Sequence, residues 1–216
     1  MKQLGGVSEG LTRDEIIKIS KLPDAGSTTK ILDELEKSGF IRRYLPYQKK
    51  KRNSLYQLSD FYTLFYLRFV EKSDPNDSNN WVNSIDKPSH RAWSGYAFKQ
   101  VCLHHIPQIK KALGVSGVVS YSSAWKSQAS EPGAQIDLLI DRKDQVINLC
   151  EMKFSTTPFA ITKSYAANLN NKIQVFNEKT KNKKAVHLTI ITTFGLKQNI
   201  HSHIVHRDLT MDVLFE

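Results

Sequence analysis

The stretch GAQIDLLIDRKDQVINLCEMKFS, residues 133–155, constrains the fold more than any other part of the chain. Two apolar runs, Ile136–Ile140 and Val146–Met152, flank a short polar segment. Each is too short for a well-packed helix and bounded like a strand, so the pair reads as a hairpin inside a sheet. Charges interrupt both runs: Asp137 in the first, Glu151 and Lys153 in the second. Side chains alternate along a strand, so Glu151 and Lys153 share a face, about 6.6 Å apart. Asp137 can join them only in one register. If Asp137 faces Glu151, Asp141 faces Ile147, and the connection around Lys143-Asp144-Gln145 has odd length. A slip by one residue sets Asp137 opposite Cys150 and separates the acids.

The rest of the chain reads as helices and strands in alternation. A helix over Ser89–Leu113, broken near Pro107, precedes a strand at Val118–Ala124. After the central pair come a helix over Ile161–Asn177, a strand at Ala185–Thr193 and a closing segment at Val205–Phe215. The order α-β-β-β-α-β predicts a mixed α/β domain.

Residues 11–58 read as a separate unit. Thr12 and Glu15 form a capping-box pattern that opens a helix to about Ser20. Leu22–Gly26 is a turn, Ser27 caps a second helix with Ile31, Leu32 and Leu35 on one face, and Gly39 ends it. Phe40–Tyr44 and Leu55–Leu58 pair as a hairpin whose tip carries Lys49, Lys50, Lys51 and Arg52 and no acid. Helix, turn, helix and basic hairpin is the order of a winged helix. Only residues 1–10 remain for its usual first helix, with Gly5 and Gly6 among them, so that helix is expected to be truncated, as in a fragment of a longer protein. Asp60–Lys72 is apolar almost all round and predicts a buried helix. The expected division is a winged helix with its trailing helix over 1–72, a linker over 73–88 and an α/β domain over 89–216.

The net charge of +10, from 31 Lys and Arg against 21 Asp and Glu, favours polyanionic partners. DNA is the expected partner, contacted by Lys49, Lys50, Lys51 and Arg52 with Arg42 and Arg43 beside them, although a solvated basic surface remains the alternative. Asp33, Glu34 and Glu36 on the second helix oppose close approach to phosphates. Two cysteines in apolar settings, Cys102 and Cys150, speak against a disulfide framework or a cysteine zinc site. No histidines show HExxH spacing, and the adjacent His104 and His105 would point about 100° apart on a helix. No apolar run approaches a spanning helix or a signal peptide, so a cytoplasmic protein without a membrane partner is expected.

Two carboxylates and a lysine at strand ends suit Mg2+ or Mn2+ and an activated water. The other reading is a set of solvent-facing strand-end charges. Asp137, Glu151 and Lys153 resemble the PD-(D/E)XK nuclease signature. Beyond that, the runs LEKSGFI (35–41), LYQLSDFYTLFYLRF (55–69), IDLLID (136–141), CEMKFS (150–155) and TIITTFGL (189–196) resemble the C-terminal portion of archaeal-type ATPases. There a winged helix and a nuclease-like domain follow an ATPase module. The resemblance covers nearly all of the chain. It implies a restriction-endonuclease-like domain, a metal held by Asp137 and Glu151, a catalytic Lys153, and DNA as substrate. Equally it allows a non-enzymatic module that binds DNA or docks a separate ATPase.

The chain departs from that pattern at Lys99, where a glutamate ligand is usual, and at Gln135, where an acid is frequent. No GxxxxGK[ST] occurs, so no P-loop ATP site is expected. Lys172 falls where such proteins often carry a basic residue, but a solvated helix face is the simpler expectation for it. Tyr165 reads as packing, as do Trp81, Trp93 and Trp125, which could otherwise stack on bases.

Overall fold

A computed structural model describes residues 2–7, 9–71, 73–74, 76–77, 79–85, 87–127 and 133–216. The chain forms two compact units, residues 1–96 and 97–216, and the division falls inside a helix past the expected linker. The fold is mixed α and β, as expected. No helix among the described residues is long and apolar enough to cross a membrane.

The first unit opens with a short helix α1 (Lys2–Gly5) and a two-residue strand β1 (Leu11–Thr12). Helix α2 (Arg13–Ser20) follows, its N-terminus closed by the capping box of Thr12 and Glu15. Helix α3 (Gly26–Lys37) is capped two residues before the expected Ser27, by Ala25, which makes no side-chain cap. Gly39, at φ 77°, turns the chain out of it. Strands β2 (Ile41–Tyr44) and β3 (Leu55–Leu58) form the expected hairpin, and β1 adds to the far side of β3, giving the order β1-β3-β2. Leu4, Leu11, Ile16, Leu32, Ile41, Tyr56, Leu58 and Leu64 form the core of this unit.

Two expectations fail here. Ile31 is exposed, leaving Leu32 as the one buried residue of the three apolar ones expected on the α3 face. The apolar stretch after Asp60 forms helix α4 (Phe61–Phe65) and a π-helical turn at Tyr66–Val70. It buries only Leu64, whereas Phe61, Tyr66 and Val70 are exposed and Tyr62 is 73% exposed. Its expected end at Lys72 and the linker residues Pro75, Ser78 and Asp86 lie outside the described residues. Helix α5 (Asn80–Ser84) lies within the expected linker. Trp81 packs edge-on to Phe65 and Phe69, and Trp93 to Phe69, so both serve packing as expected.

Helix α6 (Pro88–His104) carries residues of both units. It breaks at His105, and α7 (Ile106–Ala112) restarts with Pro107 in its first turn, where a missing N–H costs nothing. The second unit continues with β4 (Ser120–Lys126), β5 (Gln135–Arg142), β6 (Val146–Lys153), β7 (Phe159–Ala160), α8 (Lys163–Thr180), β8 (Ala185–Thr192), β9 (Leu196–Lys197) and β10 (Arg207–Thr210). The main sheet has the order β10-β8-β6-β5-β4. Strands β10, β8 and β6 are parallel, whereas β5 and β4 are antiparallel to their neighbours.

Residues of α6 and α7 (Phe98, Cys102, Ile109) share a core with Leu138, Ile140, Cys150 and Met152 of the central strands. Alternation then turns Leu139, Leu149 and Glu151 to the opposite face. There α8 buries Ala166, Leu169 and Phe176. Trp125 is buried edge-on to Phe176, again as packing.

Candidate functional site

The pairing of β5 with β6 sets Asp141 opposite Ile147 and Leu138 opposite Cys150. That is the register expected for the acid pair: continued by one residue, it brings Asp137 beside Glu151. The connection turns through Lys143, Asp144 and Gln145, and Gln145 sits at φ 65°. A three-residue turn closed by one left-handed residue is a common hairpin geometry and fixes the odd length.

On its other edge β5 is irregular. Its pairing with β4 passes from Ser123↔Leu139 to Trp125↔Ile136, so Asp137 and Leu138 together oppose the single residue Ala124. Such a bulge bends the strand and re-aims its side chains. Asp137 is thereby met by a residue of α6: Lys99 Nζ lies 2.5 Å from its Oδ1, each side chain 19% exposed. Gln135 opens β5 opposite Lys126, two residues before Asp137.

Glu151 is met from α8. Lys172 Nζ donates to both carboxylate oxygens, at 2.8 Å to Oε1 and 2.7 Å to Oε2. The Glu151 side chain is 1% exposed. Burial pushes its carboxyl above the usual carboxylate range, Asp137 adds to that, and the ammoniums of Lys172 and Lys153 oppose it. Lys172 is thus no solvated helix charge: the expectation for it is corrected.

Lys153 shares its strand with Glu151 but not its ion pair. Its Nζ lies over the ring of Tyr165, 5.1 Å from the centroid. Tyr165 packs edge-on to Phe159, and its buried hydroxyl has no hydrogen-bond partner among the described residues. Burial, then the charges of Glu151 and Asp137, raise the pKa of that hydroxyl.

The cluster therefore holds three ammoniums (Lys99, Lys153, Lys172) and two carboxylates (Asp137, Glu151), a net charge of +1 by count. Both carboxylates already accept from ammoniums at contact distance. Among the described residues no group of three or more His, Cys, Asp and Glu side chains is placed to hold a metal. A hard divalent cation takes several oxygen ligands and gains from their negative charge. This donor set offers two oxygens groups and an excess of positive charge, so the residues present do not fit Mg2+ or Mn2+. The excess of positive charge suits an anion better than a cation.

In the first unit, Lys49, Lys50, Lys51 and Arg52 are all exposed at the hairpin tip. Arg42 and Arg43 are engaged elsewhere. Arg42 donates from Nε and Nη2 to Gln57 Oε1, at 2.9 and 2.7 Å, and burial lowers its pKa to about 10. Arg43 pairs with Asp33 at 3.6 Å and with Glu36 at 3.2 Å. Neither arginine extends the basic tip as expected. Lys30 lies 3.9 Å from Glu34, so each of the three acids of α3 has a basic partner.

Comparison with protein-family models, with curated proteins and with solved structures gave no significant match.

Proposed function

We propose that this chain is a DNA-associated protein in which a winged helix contacts the DNA backbone and a nuclease-like domain contributes binding without cleavage. The carrying observation is the pair of ion pairs, Lys99–Asp137 and Lys172–Glu151, which fills the two carboxylates that a nuclease would need for its metal. Lys172 occupies both oxygens of Glu151 and Lys99 occupies Oδ1 of Asp137, so a cation or an attacking water would have to compete with an ammonium at each acid.

The first unit supports the winged-helix reading by its order of helix, strand, two helices and hairpin, with β1 completing the sheet. Its exposed basic tip supports contact with phosphates rather than bases, since α3 carries acids held by Arg43 and Lys30. Affinity of this kind is electrostatic and independent of sequence. Counting only the five-stranded sheet and taking α6 and α7 as one broken helix, the order from α6 to β8 is α-β-β-β-α-β, which supports the nuclease-like reading of the second unit.

Supercoiled plasmid incubated with the protein and Mg2+ or Mn2+ should be retarded in a gel and stay intact. Nicking that disappears in Asp137→Ala and Glu151→Ala would overturn the non-cleaving assignment. Changing Lys49, Lys50, Lys51 and Arg52 to Ala should lower the slope of log affinity against log salt by up to about 3.6, at about 0.9 per phosphate contact. An unchanged slope would remove the hairpin from the interface.

A further inference from the structure

We infer that the ammonium of Lys99 stands in for a divalent cation beside Asp137, and that this residue is what keeps Asp137 from taking a metal. The inference deepens the reading of this site given above and is separable from the hairpin contact with DNA. Lys99 Nζ is 2.5 Å from Asp137 Oδ1, and both side chains are largely shielded from water. The helix that carries Lys99 is fixed against the sheet: Phe98 and Cys102 are buried with Leu138 and Cys150. Residue 99 is therefore held beside the β5 bulge whatever its side chain.

Charge arithmetic gives the consequence. With Lys99, Lys153 and Lys172 against Asp137 and Glu151 the sum is +1; Lys99→Glu changes it by two units, to −1. The same substitution adds a third carboxylate to the pair that β5 and β6 already bring together. The new carboxylate and Asp137, released from its ammonium, would supply the ligands of a hard cation, while Glu151 stays paired with Lys172 and contributes through its charge. Lys99→Gln takes away the ammonium without supplying the carboxylate and should lie between the two.

The test is an Mn2+ titration of the full chain, read by loss of the free-ion paramagnetic resonance signal and by melting temperature. Affinity should rise from the parent to Lys99→Gln to Lys99→Glu, each step at least about tenfold, equivalent to about 1.4 kcal/mol. Lys99→Glu should gain roughly 5–10 °C at an Mn2+ concentration about 100 times its Kd. A parent that binds one Mn2+ as tightly as Lys99→Glu overturns the inference. So does a folded Lys99→Glu that binds none. Should Lys99→Glu fold only with Mn2+ present, that rescue supports the inference; should it not fold at all, equal affinities of Lys99→Gln and the parent overturn it. The salt dependence of DNA affinity, compared in chelator between the parent and the variant with Lys49, Lys50, Lys51 and Arg52 changed to Ala, reports on the hairpin, so the two readings fail separately.

Discussion

Replacing Lys172 with Met keeps most of its aliphatic stem and removes the ammonium that holds Glu151. With the Glu151 side chain only 1% exposed, the carboxylate has no route to water in the folded state. If it stayed ionised, the uncompensated charge would cost about 3–5 kcal/mol. Its alternative is to take up a proton. For a carboxyl of ordinary pKa near 4.3, neutralisation costs about 3.7 kcal/mol at pH 7 and about 1 kcal/mol at pH 5. The cheaper route sets the loss, which should therefore be about 3–4 kcal/mol at pH 7 and about 1 kcal/mol at pH 5. The sign follows from burial, which already holds the Glu151 carboxyl above the usual carboxylate range. A raised acid binds a proton in the folded state that the unfolded chain lacks. Its contribution is present below the unfolded pKa and is lost as pH rises through the folded one. Because two units unfold separately in principle, the probe must belong to the second. Fluorescence of Trp125, with Trp81 and Trp93 changed to Phe, meets that need in urea titrations at the two pH values. Adding Glu151→Gln should abolish the pH dependence. An equal loss at both pH values would refute the argument. So would a loss well under about 1 kcal/mol at pH 7, which would mean that Lys153 takes over the pairing.

Two further outcomes follow from burial elsewhere in the second unit. His187 stacks on His206 with ring centroids 4.6 Å apart, and burial first, then His206 and Arg142, lower its pKa. A depressed histidine costs stability as pH falls from about 6.5 through the folded value, so His187→Gln should flatten the acid side of a urea-midpoint profile; an unchanged profile would exclude His187 as its source. The thiols of Cys102, pushed up to about 12, and Cys150, raised further, owe their shifts mainly to burial. Both should resist a thiol reagent at pH 8 in the native protein and react fully in denaturant, and rapid native labelling of either would contradict their place in the core.

The features legible in the sequence are those set by local rules. The capping box of Thr12 and Glu15 and the restart of the helix at Pro107 depend on neighbours within one turn. Alternation narrows the register of β5 and β6 to one that joins the acids and one that separates them, and the three-residue turn decides between the two. What escaped depends on distant partners. Strand β1 is two residues long and exists because Leu11 and Thr12 pair with Tyr56 and Leu55. The bulge at Asp137 is visible only against β4, and the exposure of α4 depends on how few residues cover it. Arg42 and Arg43 look like part of a basic hairpin, yet Gln57 across the sheet and the acids of α3 claim them. Lys172 was the recoverable miss. Leu169, Lys172 and Phe176 fall at i, i+3 and i+7 on one helix face, and both apolar members are fully buried. A lysine between them on the buried face needs an acid, and Glu151, the charge interrupting an apolar strand, was the nearest candidate in kind.

The presence of Asp137 and Glu151 in a site unsuited to metal has a thermodynamic reading. A buried ion pair contributes little net stability compared with apolar residues of similar volume, but losing one partner is costly, because the other is left charged and dry. Glu151 and Lys172 are in that position, with 1% and 17% of their side chains exposed. Asp137 and Lys99 are a milder case, each with partial access to water. Single substitutions are therefore opposed at each of the four positions, whether or not the site performs chemistry. A signature read along two strands records which residues are present. Their availability is decided by α6 and α8, which bring a lysine to each acid. The motif alone is thus compatible with a metal site, while the ion pairs supplied by the helices oppose one.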